Sequence, residues 1–344
     1  MKKASKKLKK WADKRSRKIA DRIKKKKKLN CFLNKSNTIT SSKHKNLIEN
    51  RFVLPEKFSI INNPDETIRS FNNLFSFISR KRHSQMKVFI DLSVIGFLTI
   101  DAIMFLLAII NNLKQQYKIN LVFEGNSPKE IESKKIFDES GFYNYVRYLG
   151  KDELDKNEDN IQIVSGVKCD NELAKRISDF VKKKINIEIK NLHFLYVMLI
   201  ELMNNTNKHA YLEKESLLNS KWFCYVRYVD NKTIAFSFLD TGAGIPTTIK
   251  KNFIEKIVSI GSSQDNKLLK SALKGEFRSQ TLQGYRGKGI PKIREYAANE
   301  SIVNLQIITN RANVKVMNDS YNDVLLDEKF MGTLYYWEIK LNNM

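Results

Sequence analysis

Three stretches in the second half of the chain carry residue types that suit nucleotide chemistry. The first is Glu201-Leu202-Met203-Asn204-Asn205-Thr206-Asn207-Lys208-His209. Glu201, Asn205 and Lys208 stand at i, i+4 and i+7, so on a helix they share one face, amid apolar flanks such as Leu195, Leu199 and Leu202. Such a polar face is satisfied either by water or by a ligand. Next, Ile234 to Leu239 alternates like a strand and runs into Asp240-Thr241-Gly242-Ala243-Gly244-Ile245-Pro246. A carboxylate leaving a strand, with glycines that let backbone approach closely, suits a flat base bearing an amino group. The plainer alternative is a hairpin turn. The third stretch, Gly284-Tyr285-Arg286-Gly287-Lys288-Gly289-Ile290-Pro291, leads into a predicted helix with Ile293 and Tyr296. Backbone amides at a helix start favour phosphate, and Arg286 and Lys288 add charge. It is neither a dinucleotide fingerprint nor a P-loop, because Lys288 is followed by Gly289 and not by Ser or Thr.

In this order and spacing the three stretches resemble the ATP-binding boxes of the gyrase, heat-shock-chaperone, histidine-kinase and mismatch-repair ATPases, the GHKL superfamily. Gly332-Thr333, ahead of the alternating Leu334 to Leu341, resembles the Gly-Thr that opens the superfamily's last nucleotide-facing strand. The likeness spans about Ile161 to Met344 and implies ATP and magnesium as ligands. By that resemblance Asn205 would hold Mg2+ through its amide oxygen, with phosphate oxygens and waters completing the octahedron. Asp240 would accept the adenine amino group, Gly242 and Gly244 would keep the base wall thin, and Ile245, Ile290 and Thr333 would join the nucleotide-facing set. Gly284, Arg286, Gly287, Lys288 and Gly289 would cradle phosphate. Lys208 would face phosphate too, as in the histidine-kinase and anti-sigma-kinase branches, whereas His209 is given no chemistry. Glu201 matches the superfamily's general base, which orients a water or a substrate hydroxyl against the γ-phosphate. Thr247 to Gln283 sits where the superfamily has its mobile lid, with Gly261, Gly275, Arg278 and Ser279 expected to order on nucleotide binding.

Several elements must position these residues. Asn63 and Pro64 read as an N-cap and first helical residue, with Ile68, Phe71, Leu74, Phe75 and Ile78 on one face of a helix to Arg80. A strand (Val88, Phe89, Ile90), the tripeptide Asp91-Leu92-Ser93, a helix from about Thr99 to Gln116 and a strand Ile119 to Phe123 follow, making a β-α-β unit. Ser127-Pro128 is expected to open another helix reaching Ile136. From about Met86 to Leu149 the chain resembles a STAS domain, the fold of anti-sigma-factor antagonists, on the strand ending Asp-Leu-Ser, the central helix and the late turn Ser140-Gly141-Phe142. Where that family often carries a phosphorylatable serine, this sequence has Thr99 or Asp101. Beyond a charged linker, Ile161 to Val164 reads as a strand, Asp170 as the cap of a helix bearing Leu173, Ile177, Phe180 and Val181, and Ile189 to Ala210 as a longer helix.

The predicted architecture is α/β: a STAS-like α/β domain, then a GHKL α/β sandwich with a mixed, mostly antiparallel sheet. Expected boundaries are 1–50 for a basic extension, 51–155 for the STAS-like domain with its linker and 156–344 for the ATP-binding domain. With 344 residues and 42% hydrophobic content the chain can bury a sizeable core despite a formal net charge of +24. More than half of that excess lies in the first thirty residues, including the run Lys24 to Lys28. Such a segment is either a solvated tail or a sequence-blind foot for nucleic acid, anionic lipid or another polyanion. Cys31, Cys169 and Cys224 are far apart and form no CxxC pair, so neither a disulfide framework nor a zinc site is indicated, and a reducing cytoplasm fits. Val88 to Ile110 has the length of a membrane span, but Asp91 and Asp101 inside it argue for a strand and a buried helix.

Three functions follow as expectations. The first is an ATPase acting as a nucleotide-dependent switch on a partner protein, a second copy or its own STAS-like domain, in a setting such as bacterial stress signalling or phage defence. The second is a protein serine/threonine kinase of the anti-sigma type. The third is a polyanion-binding scaffold in which ATP is structural.

Overall fold

The computed structural model describes residues 49–80, 86–117, 121–146, 158–185, 192–208, 218–253, 257–258, 261–277, 291, 293–295, 302–317 and 320–340. Residues 1–48 of the expected basic extension lie outside these, and its last two, Glu49 and Asn50, already belong to a strand. Residues 48–344 form one compact unit of mixed α/β architecture.

Strand β1 (Glu49–Val53) and the short β2 (Lys57–Phe58) lead into helix α1 (Pro64–Arg80). The proline at its first position and Asp65 and Glu66 in its first turn suit the positive end of the helix. Ile68, Phe71, Leu74 and Ile78 are buried along one face, as their helical spacing predicts. Then come β3 (Met86–Asp91), β4 (Phe97–Leu98), α2 (Ile100–Tyr117) and β5 (Leu121–Gly125). The apolar run from Val88 to Ile110 is thus divided between strand and helix, and no helix among the described residues is long and apolar enough to cross a membrane. Strands β1, β3 and β5 form a parallel sheet with β3 in the centre. Asp91, at the end of β3, accepts from Asn126 Nδ2 (2.6 Å), the Ser93 amide (3.0 Å) and Arg51 Nε (2.9 Å). Those bonds, the Asn126 contact foremost, hold its carboxyl well below the usual carboxylate range.

Helix α3 runs Ile131–Glu139, and the Glu130 side chain caps it by accepting from the amides of Glu132 (2.9 Å) and Ser133 (2.6 Å). Its start is therefore set by Glu130, not by Ser127-Pro128, because those amides need an acceptor two or three residues upstream. The single turn α4 (Tyr143–Val146) closes this part.

Strand β6 (Asn160–Gly166), helix α5 (Asn171–Ile185), helix α6 (His193–Lys208) and strands β7 (Trp222–Asp230) and β8 (Thr233–Asp240) follow. Asp170 caps α5 as expected, accepting from the Leu173 amide at 2.8 Å. After α7 (Ile245–Asn252) and α8 (Asp265–Leu273), the long strands β9 (Ile302–Val316) and β10 (Tyr321–Lys340) complete the chain. The second sheet has the order β6-β7-β8-β10-β9, and every pairing in it is antiparallel, where a mixed sheet was expected.

That sheet is apolar on both faces because both are covered. Trp222, Cys224, Val226, Phe236 and Trp337 pack against α5 and α6, with the Phe236 and Trp337 rings stacked 4.9 Å apart across neighbouring strands. Their neighbours in sequence, Phe223, Tyr225, Leu239 and Leu334, turn the other way into a core shared with α1 and α2. Phe71 of α1, Phe105 of α2 and Phe330 of β10 form a chain of rings there, at 4.9 and 4.5 Å.

Candidate functional site

Asp240 ends β8 in the middle of the sheet, opposite Trp222 of β7 and Thr333 of β10. The Thr241 amide still donates to the Lys221 carbonyl at 2.9 Å, so the strand stays paired up to the point where the chain turns away. The Asp240 carboxylate accepts the Gly242 amide at 2.9 Å, and the Thr206 hydroxyl, which donates to the Leu202 carbonyl (3.4 Å), lies close enough to lower it. Thr206 is the residue after Asn205 on α6, so the structure brings the first two predicted stretches together. Burial raises the Asp240 carboxyl to about 6, against the opposing pull of the Gly242 amide and the Thr206 hydroxyl. At neutral pH it remains an anionic acceptor with a small opening to solvent, since the residue is half-buried.

Gly332 lies against the same carboxylate's backbone. Its φ is +130°, and a Cβ there would stand 2.2 Å from the Asp240 carbonyl oxygen, so only glycine fits. Gly332 and Thr333 sit inside β10 and not ahead of it. The strand continues because Gly332 lets it pass Asp240. Thr333 is buried, with its hydroxyl 3.0 Å from that of Thr309, which donates to the Gly332 carbonyl (2.9 Å) and accepts the Ile245 amide (3.1 Å). Thr309 thereby ties the turn after Asp240 to the sheet, with Thr333 bonded to it.

Gly244 caps α7 with φ +87°, and a Cβ on it would meet the Asn310 side chain at 2.6 Å. Asn310 clamps this loop. Its Nδ2 donates to the Ala243 carbonyl (3.0 Å), and its Oδ1 accepts from the Thr247 amide (3.1 Å) and hydroxyl (3.0 Å). Thr309 and Asn310 were not anticipated. The signal was a polar pair inside the apolar run from Ile302 to Val316, with an asparagine at φ +49°, a backbone that residue tolerates better than most.

Glu201 and Asn205 lie one turn apart on α6, roughly 6 Å along its axis. The Asn205 Nδ2 is buried without a hydrogen-bond partner. Glu201 is half-buried beside Cys169, whose thiol is raised by burial and by the charges of Asp170 and Glu201. Lys208 closes α6, and its side chain lies outside the described residues. So do Gly284, Arg286, Gly287, Lys288, Gly289 and Ile290, together with Arg278, Ser279 and His209. The segment after the glycine stretch is helical at Pro291 and from Ile293 to Glu295, and Ile293 is fully buried in the core with α5 and α6.

Part of the predicted lid is fastened down. Leu268, Leu269, Ala272 and Leu273 of α8 are buried, and Asp265 accepts Lys250 Nζ (2.7 Å) and the Arg311 amide (3.0 Å). Asp323 of β10 binds Lys267 (2.9 Å), Lys270 (3.1 Å) and Asn266 (3.0 Å). Gly261 and Gly275 both adopt positive φ in the turns around α8.

Among the described residues no group of three or more His, Cys, Asp or Glu side chains is placed to hold a metal ion. A magnesium ion carried on nucleotide phosphates needs few protein ligands; Asn205 would offer it Oδ1, while its buried, unpartnered Nδ2 is a donor. No protein-family model, no curated protein and no solved structure matches this chain.

Proposed function

We propose that the chain binds ATP with magnesium in a GHKL-type pocket beside Asp240, and that it works as a nucleotide-dependent switch. The observation that carries this reading is the contact between Thr206 and Asp240, which places a desolvated acceptor next to the helix bearing Glu201 and Asn205. Asp240 accepts a hydrogen bond from the adenine amino group, and Gly242 and Gly244, which follow it, keep the wall beside the base thin. Magnesium supplies neutralisation of phosphate charge, and Asn205 is the residue that would hold it. Glu201 takes the proton of a water that attacks the γ-phosphorus as the bond to the β,γ-bridging oxygen breaks, leaving ADP and phosphate.

The STAS-like layer is the natural recipient of the signal, because α1 packs on β10, the strand that contains Gly332 and Thr333. Release of phosphate to water is favoured over transfer to that layer. Asp101, at the position where the family carries a serine, is fully buried, and Thr99 is half-buried. The reading is tested by titrating fluorescent ATP with magnesium into the full chain and its Asp240→Asn variant. Equal affinity for the two proteins would refute the assigned pocket.

A further inference from the structure

Strand β10 carries more chain than its ladder uses. Its pairing with β9 sets Leu325 opposite Ala312 and Thr333 opposite Thr309, with register shifts on both sides of the pair Phe330–Asn310. The whole stretch from Leu325 to Thr333 therefore faces only Ala312 to Thr309, and the surplus bulges from the ladder immediately ahead of Gly332 and Thr333. Leu326 and Phe330 anchor the ends of that surplus in the core shared with α1 and α2.

The residues between these anchors are gripped by side chains from other elements. Asp65, in the first turn of α1, accepts the amides of Asp327 (2.8 Å) and Glu328 (3.0 Å). Asn72 of α1 donates to the Lys329 carbonyl (3.3 Å), and Asn72 and Arg69 both donate to the Glu328 carboxylate, each at 3.0 Å. From β9, Arg311 Nε donates to the Leu326 carbonyl at 2.8 Å. Chain that lies outside the ladder stays where such grips put it. Its place matters, because a slip of β10 by one residue would turn the side chains next to Asp240 to the other face of the sheet.

Arg311 is the last of three successive residues that bind different parts of the proposed ATP site. Thr309 holds the Gly332 carbonyl and the Ile245 amide, and Asn310 clamps the loop from Ala243 to Thr247. The Arg311 amide reaches Asp265 at the start of α8, in the expected lid. Asn310 adopts φ +49°, uncommon for a residue with a side chain, at the one pair left between the two register shifts. One short stretch thus meets the loop after Asp240, the lid helix and the bulge, and the first layer holds the bulge. We propose that the bulge is a regulatory joint: the grip of α1 on residues 327–329 keeps β10 in the register that binds nucleotide, so that loosening α1 lowers the affinity for ATP. This inference rests on the ATP pocket proposed above. By linkage, bound nucleotide tightens the grip in return.

The test begins without nucleotide, as amide hydrogen exchange on the full chain. Asp65→Ala removes the acceptor that holds the bulge, and Asp65→Asn keeps an acceptor oxygen there. Asp65→Ala should speed exchange at the Ile245 and Thr247 amides about two- to thirtyfold, and Asp65→Asn should restore the parent rates. The Ile163 amide, bonded to the Ser140 carbonyl outside this network, should not respond. Unchanged rates at Ile245 and Thr247, or an equal rise at Ile163, would overturn the joint. ATP with magnesium should then bind Asp65→Ala about two- to thirtyfold more weakly than the parent, and should slow exchange at the Asp327 and Glu328 amides of the parent. Equal affinity for the two proteins would overturn the proposal as well. A parent that binds no ATP would refute the pocket and, with it, this use of the joint; the nucleotide-free rates distinguish that failure from a failure of the joint itself.

Discussion

The hydroxyl of Thr206 on helix α6 donates to the Leu202 carbonyl (3.4 Å) and lies beside the carboxylate of Asp240 at the end of strand β8, which it helps to lower. Residues 34 positions apart in sequence thereby meet, and the acceptor that would read adenine sits beside the helix that would meet the phosphates.

Asp240 makes the protein's stability depend on pH in the direction opposite to that of a salt-bridged aspartate. Its carboxyl moves from the ordinary value of 3.8 to about 6 on folding, chiefly through burial. The folded state therefore holds the proton more tightly. This contribution is full below pH 3.8, is lost as pH rises to about 6, and amounts to at most about 3 kcal/mol. In urea titrations across that window, Asp240→Asn should lose less stability with rising pH than the parent. ATP affinity should move the other way, falling below pH 6 as the acceptor is protonated. A parent and variant with parallel pH profiles would contradict this assignment.

Gly332→Ala should destabilise the chain by at least about 2 kcal/mol, since it adds a methyl against the Asp240 carbonyl and imposes a φ that L-residues avoid. Asn310→Ala should cost about 1–3 kcal/mol by leaving the Ala243 carbonyl and the Thr247 amide without their partner. Urea midpoints measure both. Asn310→Ala should also weaken ATP binding, because the loop from Gly242 to Thr247 loses its clamp.

Glu201→Ala should lower ATP hydrolysis by about 10²- to 10⁴-fold while ATP affinity stays within a few-fold. Phosphate release from radiolabelled ATP reads this out, and label retained on protein would instead indicate a kinase. A variant that hydrolyses at the parent rate would remove Glu201 from the role of base.

Much of the first layer was legible because burial there follows a single period. Ile68, Phe71, Leu74 and Ile78 repeat at helical spacing, and their burial is what that spacing says. Asp240 was legible from chemistry, as a carboxylate followed by glycines. The extent of β10 was not. Its segment from Asp323 to Lys329 mixes Val324, Leu325 and Leu326 with charged residues and shows no strand period, and it is held in the strand by partners distant in sequence. Asp65 accepts the amides of Asp327 and Glu328, and Arg69 and Asn72 bind the Glu328 carboxylate. The cap at Glu130 escaped for a related reason, since glutamate is not among the favoured capping residues and only the fold shows its carboxylate turned onto the helix start.

Asp323→Ala should loosen α8, because three side chains of that helix, Asn266, Lys267 and Lys270, converge on one carboxylate. Limited proteolysis should cut between residues 261 and 277 faster in the variant, and ATP with magnesium should slow that cutting. Unchanged protection would mean that the apolar contacts of Leu268 and Leu269 alone hold the helix.

A sheet greasy on both sides cannot be divided into portable modules. A fragment beginning near residue 156 would keep α5 and α6 but bare Phe223, Tyr225, Leu239, Ile308 and Leu334 to water, an adhesive plate in place of a protein surface. Such a fragment should sediment as aggregates where the whole chain does not. A change at Asp240 would reach α1 and α2 through this shared core.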